Sequence, residues 1–474
     1  MAFCNPRIRI SGDRLKTALR ALAFVGPTLV ALLAGTTSAS AQGIQIIRDT
    51  EIERVLYSYE RPLLEAAGID PSTVHIYLNA DPTINAFATQ SPFEGEGEDI
   101  FVNTGLLTQL TSPNQVKGVL AHETGHIAGG DVIRGAMAMQ KATIPMLLGM
   151  LVGVVAMVAG AGEAGMGAFV LGQQAAMSQY LQFSRAQEST ADQRGVTYLT
   201  RTHQSAEGML QVFEMLAQQQ RMSAYFNKTF ISDHPADDVR IDELRNRVDA
   251  SPYKDVKDSP AVVHEFHMIQ AKLIGYLDKP DEVLRRYPSS DQSDEALYAR
   301  AMAYFREPDL KKALTQITTL IKREPKDPYF WEMYGQILVE MSKPKEGIVP
   351  YQKAVDLLPN APLIRVSLAA AQIATNQRSE LKAAVSNLRV AMQQDRTNTF
   401  GWYEEAQAYS TLGNQPMADL ATAERYYWSG GMKMAAMFAN RAAHKLTPGT
   451  IAWQRASDIV STAASLARQQ HDRG

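Results

Sequence analysis

Two histidines stand four residues apart, with a glutamate directly after the first, in His122-Glu123-Thr124-Gly125-His126. On a helix, side chains at i and i+4 share one face, so both imidazoles can present a nitrogen to a single tetrahedral ion. Glu123 then lies beside the metal without binding it. In that place a carboxylate can take a proton from a metal-bound water, whose pKa falls to roughly 7, and pass it to a leaving amine. The spacing therefore predicts a zinc site with Glu123 as base. The bland alternative is two solvent-facing histidines on an ordinary helix.

A third ligand should come from a second element. The stretch "SRAQESTADQRGVTYL" offers Glu188 and, one turn later, Asp192 on the same helical face, with Ala191 and Gly195 small enough there for two helices to approach closely. Glu188 would complete the ligand triad and leave a fourth position for water or substrate. Asp192 would accept the free ring N–H of a ligand histidine and fix its tautomer. The alternative for this pair is an exposed acidic face.

The elements that must position these groups are also legible. In "TSPNQVKGVLAHETGH", Ser112 can cap, Pro113 suits the first helical position and Gln115 completes a capping box, so a helix starts near 113; Gly129-Gly130 gives it a stop. Upstream, "VHIYL" (74–78), "INAFA" (84–88) and "DIFV" (99–102) read as short strands. An edge strand beside a zinc cleft would let an unfolded segment add on through main-chain hydrogen bonds, giving affinity with little sequence demand. The plainer reading is a small sheet that only supports the zinc helix.

HETGH, the later "ESTAD", and the preceding "INAFATQ" and "IFVNTGLL" together resemble the HtpX/BepA-like family of membrane-associated zinc metallopeptidases, over roughly residues 45 to 245. The resemblance implies a gluzincin-type α+β domain, mostly helical with a small sheet, with one zinc on His122, His126 and Glu188 and with Glu123 as base. The chain departs from the family at Asp131, where a further histidine often stands. In "ISDHPADDVRIDELR", His234-Pro235 breaks the chain just before a helix that Asp237 or Asp238 could cap. A neutral imidazole on a loop is chemically able to fill the fourth zinc position. The resemblance implies that His234 acts as a reversible plug there and that Arg240 contacts the substrate or the transition-state oxyanion. The alternative for His234 is a polar surface residue.

Between the two zinc helices lies "ATIPMLLGMLVGVVAMVAGAG" (142–162), uncharged and about as long as a membrane span requires. A single span would separate His122 and His126 from Glu188 across a bilayer, so 142–172 is read as a hairpin that dips into a membrane, lies on one, or packs over the active site. At the start, Arg7, Arg9, Arg14, Lys16 and Arg20 precede an apolar run and "TTSASAQ", a signal-peptide pattern with cleavage expected after Ala41; an uncleaved anchor is the rival. The single cysteine, Cys4, falls in that leader, so residues 42–474 hold no disulfide and must draw metal ligands from His, Asp and Glu. Their net charge of −7 offers no basic face for nucleic acid.

After the polar stretch 249–260 the chain turns to Ala/Leu/Tyr-rich helices. Trp331, Gly335, Leu338, Ala354 and Pro359 fall on tetratricopeptide spacings, and Pro325 stands 34 residues before Pro359. Ala301, Tyr304 and Ala313 occupy equivalent places one period earlier. Trp402, Ala406, Tyr409 and Ala418 resume the pattern 71 residues after Trp331, which is two periods plus three residues, assigned to "TNQRSE". About four helix pairs should stack into an all-α superhelix over 256–474, behind a metallopeptidase domain over 42–255. The alternative is a plain helical bundle. His264 and His267 in "HEFH" lack a further ligand nearby and read as surface residues.

These parts predict a periplasmic zinc endopeptidase, free in that compartment or associated with a membrane, that degrades unfolded or misassembled proteins recruited by its repeats. Within the family, members with this order of parts imply quality control of outer-membrane proteins in the periplasm; the repeats would offer a contact with the assembly machinery, and the 142–172 hairpin a peripheral membrane contact. The rival function is a chaperone or assembly adaptor whose zinc site is normally latent.

Overall fold

The computed structural model describes residues 44–91, 97–131, 134, 170, 184–222, 234 and 238–471. The leader (1–41) and the apolar hairpin (142–172, Val170 apart) fall outside them. Among the described residues no helix is long and apolar enough to cross a membrane.

Among the described residues four strands form one sheet: β1 (Ile46–Ile47), β2 (Val74–Asn79), β3 (Ala86–Gln90) and β4 (Glu98–Asn103), in spatial order β1-β2-β4-β3. β2 runs parallel to β4, with Val74 opposite Glu98, and β3 runs antiparallel to β4, with Ala86 opposite Val102. β3 begins two residues later than the sequence pattern placed it. Asp81 Oδ1 accepts hydrogen bonds from the Thr83 N–H and hydroxyl, and this turn keeps the chain out of the ladder until Asn85.

Helix α1 (Thr50–Ala67) starts where Asp49 accepts the Ile52 N–H, and it ends at Gly68, whose φ of 76° is the left-handed cap that glycine adopts without strain. Ile52, Val55, Leu56, Tyr59 and Leu63 recur at helical spacing and are buried against the sheet and α3. After α2 (Thr104–Gln109), α3 (Pro113–Gly129) carries the HETGH motif. Its Ser112–Gln115 capping box and its left-handed Gly130 stop are the ones its sequence predicts. Then come α4 (184–201), α5 (Glu207–Met222) and α6 (Asp238–Asp249).

Helix α7 (Pro260–Leu277) serves two cores: Phe266, Ile269 and Leu273 join the core under the sheet, whereas Met268, Ala271 and Ile274 pack toward the repeats. A shared helix makes residues 256–277 a joint. After the short α8 (Pro280–Arg286), five antiparallel pairs follow: α9 (Asp294–Arg306) with α10 (Leu310–Arg323), α11 (Pro328–Glu340) with α12 (Pro344–Leu357), α13 (Pro362–Ala374) with α14 (Arg378–Gln394), α15 (Thr399–Thr411) with α16 (Gln415–Trp428), and α17 (Met432–Ala443) with α18 (Ile451–His471).

The repeat is visible in one recurring bond. Trp331 Nε1, Arg365 Nε and Trp402 Nε1 each donate to the carbonyl six residues back, at Pro325, Pro359 and Arg396. At Gly335 a Cβ would stand 2.8 Å from the Tyr351 ring, so glycine sets the closeness of α11 and α12. The three extra residues of the third pair lie in its second helix. α14 is 17 residues long where α12 is 14, and the turn at 375–377 is as short as the one at 341–343. An insertion inside a helix keeps both tight turns of the unit, which is why the loop "TNQRSE" did not have to absorb it.

Candidate metal centre

α3 and α4 cross with almost no side chain between them. A Cβ on Gly125 would stand 2.6 Å from the Ala191 carbonyl oxygen, and one on Gly195 3.1 Å from that of Ala121. This contact of small residues brings the HETGH face of α3 onto the Glu188/Asp192 face of α4 at hydrogen-bond range.

Four side chains converge there: His122 and His126 from α3, Glu188 from α4, and His234 from the loop before α6, all buried. His122 Nε2 lies 3.1 Å from His126 Nε2, 3.2 Å from His234 Nδ1 and 3.3 Å from Glu188 Oε2. Glu188 Oε1 lies 3.4 Å from His126 Nε2 and 3.1 Å from His234 Nδ1. Donors on a tetrahedral ion with bonds of about 2.0–2.1 Å stand about 3.3–3.4 Å apart. The observed separations are those of a ligand shell for one small cation, and the residues fit a metal.

The far side of each histidine is tied down. His122 Nδ1 lies 2.9 Å from Asp192 Oδ1, and His126 Nδ1 lies 3.0 Å from Asp131 Oδ2. Carboxylates in this place orient the rings and turn Nε2 of each toward the centre. Asp131 is itself held by Arg134 at 2.7 Å and by Gln187 at 3.0 Å. Its role went unseen in the sequence, where it registered only as a departure from a familiar pattern. The signal was Gly130: with φ of 64° it turns the chain back, so the next side chain meets the last turn of α3.

Arg240, on α6, donates to Asp192 from Nε at 2.9 Å and from Nη2 at 3.0 Å, lies 3.2 Å from Glu188 Oε2, and stacks over Phe213. The guanidinium is thus engaged with both acidic residues of α4 and is 6% exposed. Glu123 is 1% exposed; its Oε1 has no hydrogen-bond partner among the described residues and lies 3.6 Å from His234 Nε2. A buried carboxylate oxygen left open beside a ligand shell is what a general base requires.

The electrostatics agree. Burial alone would push the Glu188 carboxyl up, but His234, His122 and His126 around it hold it well below the usual carboxylate range. Burial acts the same way on Asp192, and His122 and Arg240 overcome it. Burial opposes charge on His126, yet Asp131 and Glu188 push its pKa up to about 10. The centre attracts positive charge against its own desolvation. By contrast, His264 is exposed beside Glu295, and the neighbouring Asp294 is already bridged by Arg323.

Residues 48–248 match peptidase family M48. Over 417 residues the chain is 24% identical to the beta-barrel assembly-enhancing protease of Escherichia coli K12, covering 86% of this chain and 82% of that protein. It is 22% identical to the same protein of Yersinia pestis, with the same shares covered. Protease HtpX of Xanthomonas campestris is 35% identical over 116 residues, 24% of this chain and 38% of HtpX. Among solved structures, the tetratricopeptide protein YrrB aligns with 37% of this chain and 91% of its own at 19% identity and a TM-score of 0.30.

Proposed function

We propose, for a chain that belongs through residues 48–248 to the metallopeptidases of family M48, that it is a zinc-dependent endopeptidase of the periplasm. Its substrates are unfolded or misassembled outer-membrane proteins brought in by the repeat helices. Similarity to beta-barrel assembly-enhancing proteases over 86% of the chain supports this substrate class and a contact with the assembly machinery. The observation that carries the reading is the four-donor shell of His122, His126, Glu188 and His234 with Glu123 open beside it.

In this reading His122, His126 and Glu188 would hold the zinc, which would supply Lewis acidity toward a water and the scissile carbonyl. Glu123 takes the proton and delivers it to the leaving nitrogen. Asp192 and Asp131 keep His122 and His126 in the tautomer that presents Nε2, and Arg240 keeps Asp192 and Glu188 ionised and in place. A role for Arg240 toward substrate would require it to leave Asp192. An extended substrate adds to β3, the outer strand of the sheet among the described residues and next to α3.

His234 is the latch. Its Nδ1 completes the shell, and its Nε2 stands between the centre and Glu123, so neither water nor substrate can use the fourth position while it is seated. Substrate delivered by the repeats displaces it. His234→Ala at equal zinc occupancy should cleave an unfolded test protein, or itself, faster than wild type; equal or lower activity removes the latch. The seated latch also favours a second reading, an assembly adaptor whose centre stays closed. Glu123→Gln separates the two, because loss of both cleavage and cellular function supports the enzyme, whereas survival of function supports the adaptor.

A further inference from the structure

A cleft of about 740 Å³ separates the peptidase domain from the repeats. Its floor is Val74–Tyr77 of β2, one wall is the start of α1, and the other wall is formed by residues 360–363 and 393–397 of the repeat domain. Arg48 closes one end through an ion pair to Asp395 at 2.9 Å. The metal centre contributes none of its lining residues.

The floor is an unfinished sheet edge. β2 is paired with β4 along Val74–Asn79, but on its other side β1 covers only Leu78 and Asn79. The Ala80 N–H bonds the Gln45 carbonyl, so bonded positions on this side recur at every second residue, at 80, 78 and then 76. The partner due at Ile76 is missing because the chain leaves the sheet at Arg48 and Asp49 to cap α1. The Ile76 N–H and C=O face the cleft without a backbone partner among the described residues, and the Val74 C=O faces the same way. Thr50, 6% exposed and lining the cleft, has a hydroxyl with no hydrogen-bond partner among the described residues. At the rim, the exposed side chains of Arg54 and Arg396 make no hydrogen bond among the described residues, and Tyr57 offers an exposed ring.

We infer that this cleft is a peptide-binding site: an extended, acidic segment of another protein adds to β2 opposite Val74–Ile76, bonding the Ile76 N–H and C=O and setting its carboxylates against Arg54 and Arg396. Backbone pairing supplies affinity for any extended chain, and the two rim guanidiniums, exposed and in no hydrogen bond among the described residues, select for negative charge. Both domains form the walls, so a segment seated here holds a client at their joint while another part of it reaches the metal. The site needs no catalysis, so its failure would leave the peptidase reading intact.

The test uses full-length Glu123→Gln protein, which should not cut the probe. The probe is a fluorescein-labelled seven-residue peptide alternating valine and glutamate, followed by anisotropy. N-methylation of its alternate amides should weaken binding about tenfold or more by removing backbone bonds. The Arg54→Glu/Arg396→Glu variant, altered only at exposed side chains, should lose about tenfold for this peptide and gain for its lysine analogue. Hydrogen exchange at the Ile76 amide should slow on saturation while that of Tyr77, already paired with β4, stays unchanged. Protection at 86–90 with Ile76 unaffected, or equal binding of the N-methylated peptide, would overturn the proposal.

Discussion

Two clusters of charge are buried in this molecule, and they solve the same problem differently. At the joint between domains, Lys272 Nζ lies 2.8 Å from Asp49 Oδ2 and 2.9 Å from Glu51 Oε2, and the Tyr298 hydroxyl donates to Glu51 at 2.7 Å; all four residues are at most 4% exposed. That cluster carries its own cation. At the candidate metal centre, three imidazole nitrogens and a carboxylate turn their acceptor atoms toward one another, and Arg240 serves the carboxylates from one side. A buried cluster whose carboxylates are matched by a cationic side chain of its own is structural, and one whose donor atoms converge at ligand-shell distances is built to hold an ion.

The comparison can be broken most sharply at Glu123. Glu123→Gln should lower cleavage of an unfolded protein by about 10²–10⁴-fold, while metal content by mass spectrometry and the melting temperature stay at wild-type values. An equal loss of bound metal would make Glu123 a ligand. At the other cluster, Lys272→Met leaves Asp49 and Glu51 buried without their cation and should destabilise the chain by about 3–5 kcal/mol in urea unfolding. Metal content per folded molecule should be unaffected; a change in it would couple clusters that the structure keeps apart.

A smaller effect is expected from the carboxylates that orient the histidines. Asp131→Asn or Asp192→Asn should weaken metal binding about 10–100-fold in chelator competition with little change in fold, and Asp131→Glu should restore part of it. Asp192→Asn also removes a partner of Arg240, so it should cost more than Asp131→Asn.

The smallest effect is a pH dependence at the joint. Burial raises the Glu51 pKa to about 7 even with Lys272 beside it, against an ordinary value of 4.5. A group whose folded pKa is raised lends its stability below its unfolded pKa and loses it as pH rises through the folded one. Between about pH 4.5 and 7 the wild type should therefore lose stability relative to Glu51→Gln, and the difference should level off above about 7. A difference in melting temperature that stays flat across that range would place Glu51 ionised throughout.

Local chemistry was legible in the amino-acid order wherever the partners lie within a turn or two of one another. The Ser112–Gln115 cap, the one-turn spacing of His122 to His126 and of Glu188 to Asp192, the small residues between the helices and the Pro/Trp period of the repeats follow from 3.6 residues per turn and could be read directly. What only the tertiary structure decided lies between elements distant in the chain: Asp131 folding back onto His126, Arg240 committed to Asp192, α7 split between two cores, and Lys272 reaching Asp49 and Glu51 from 221 residues or more away. The open edge of β2 belongs to the same class, because a missing strand leaves no mark in the sequence. Periodicity encodes which face a residue takes; which distant face comes to meet it is set by the packing of the whole core, where burial and hydrogen-bond satisfaction must be met together.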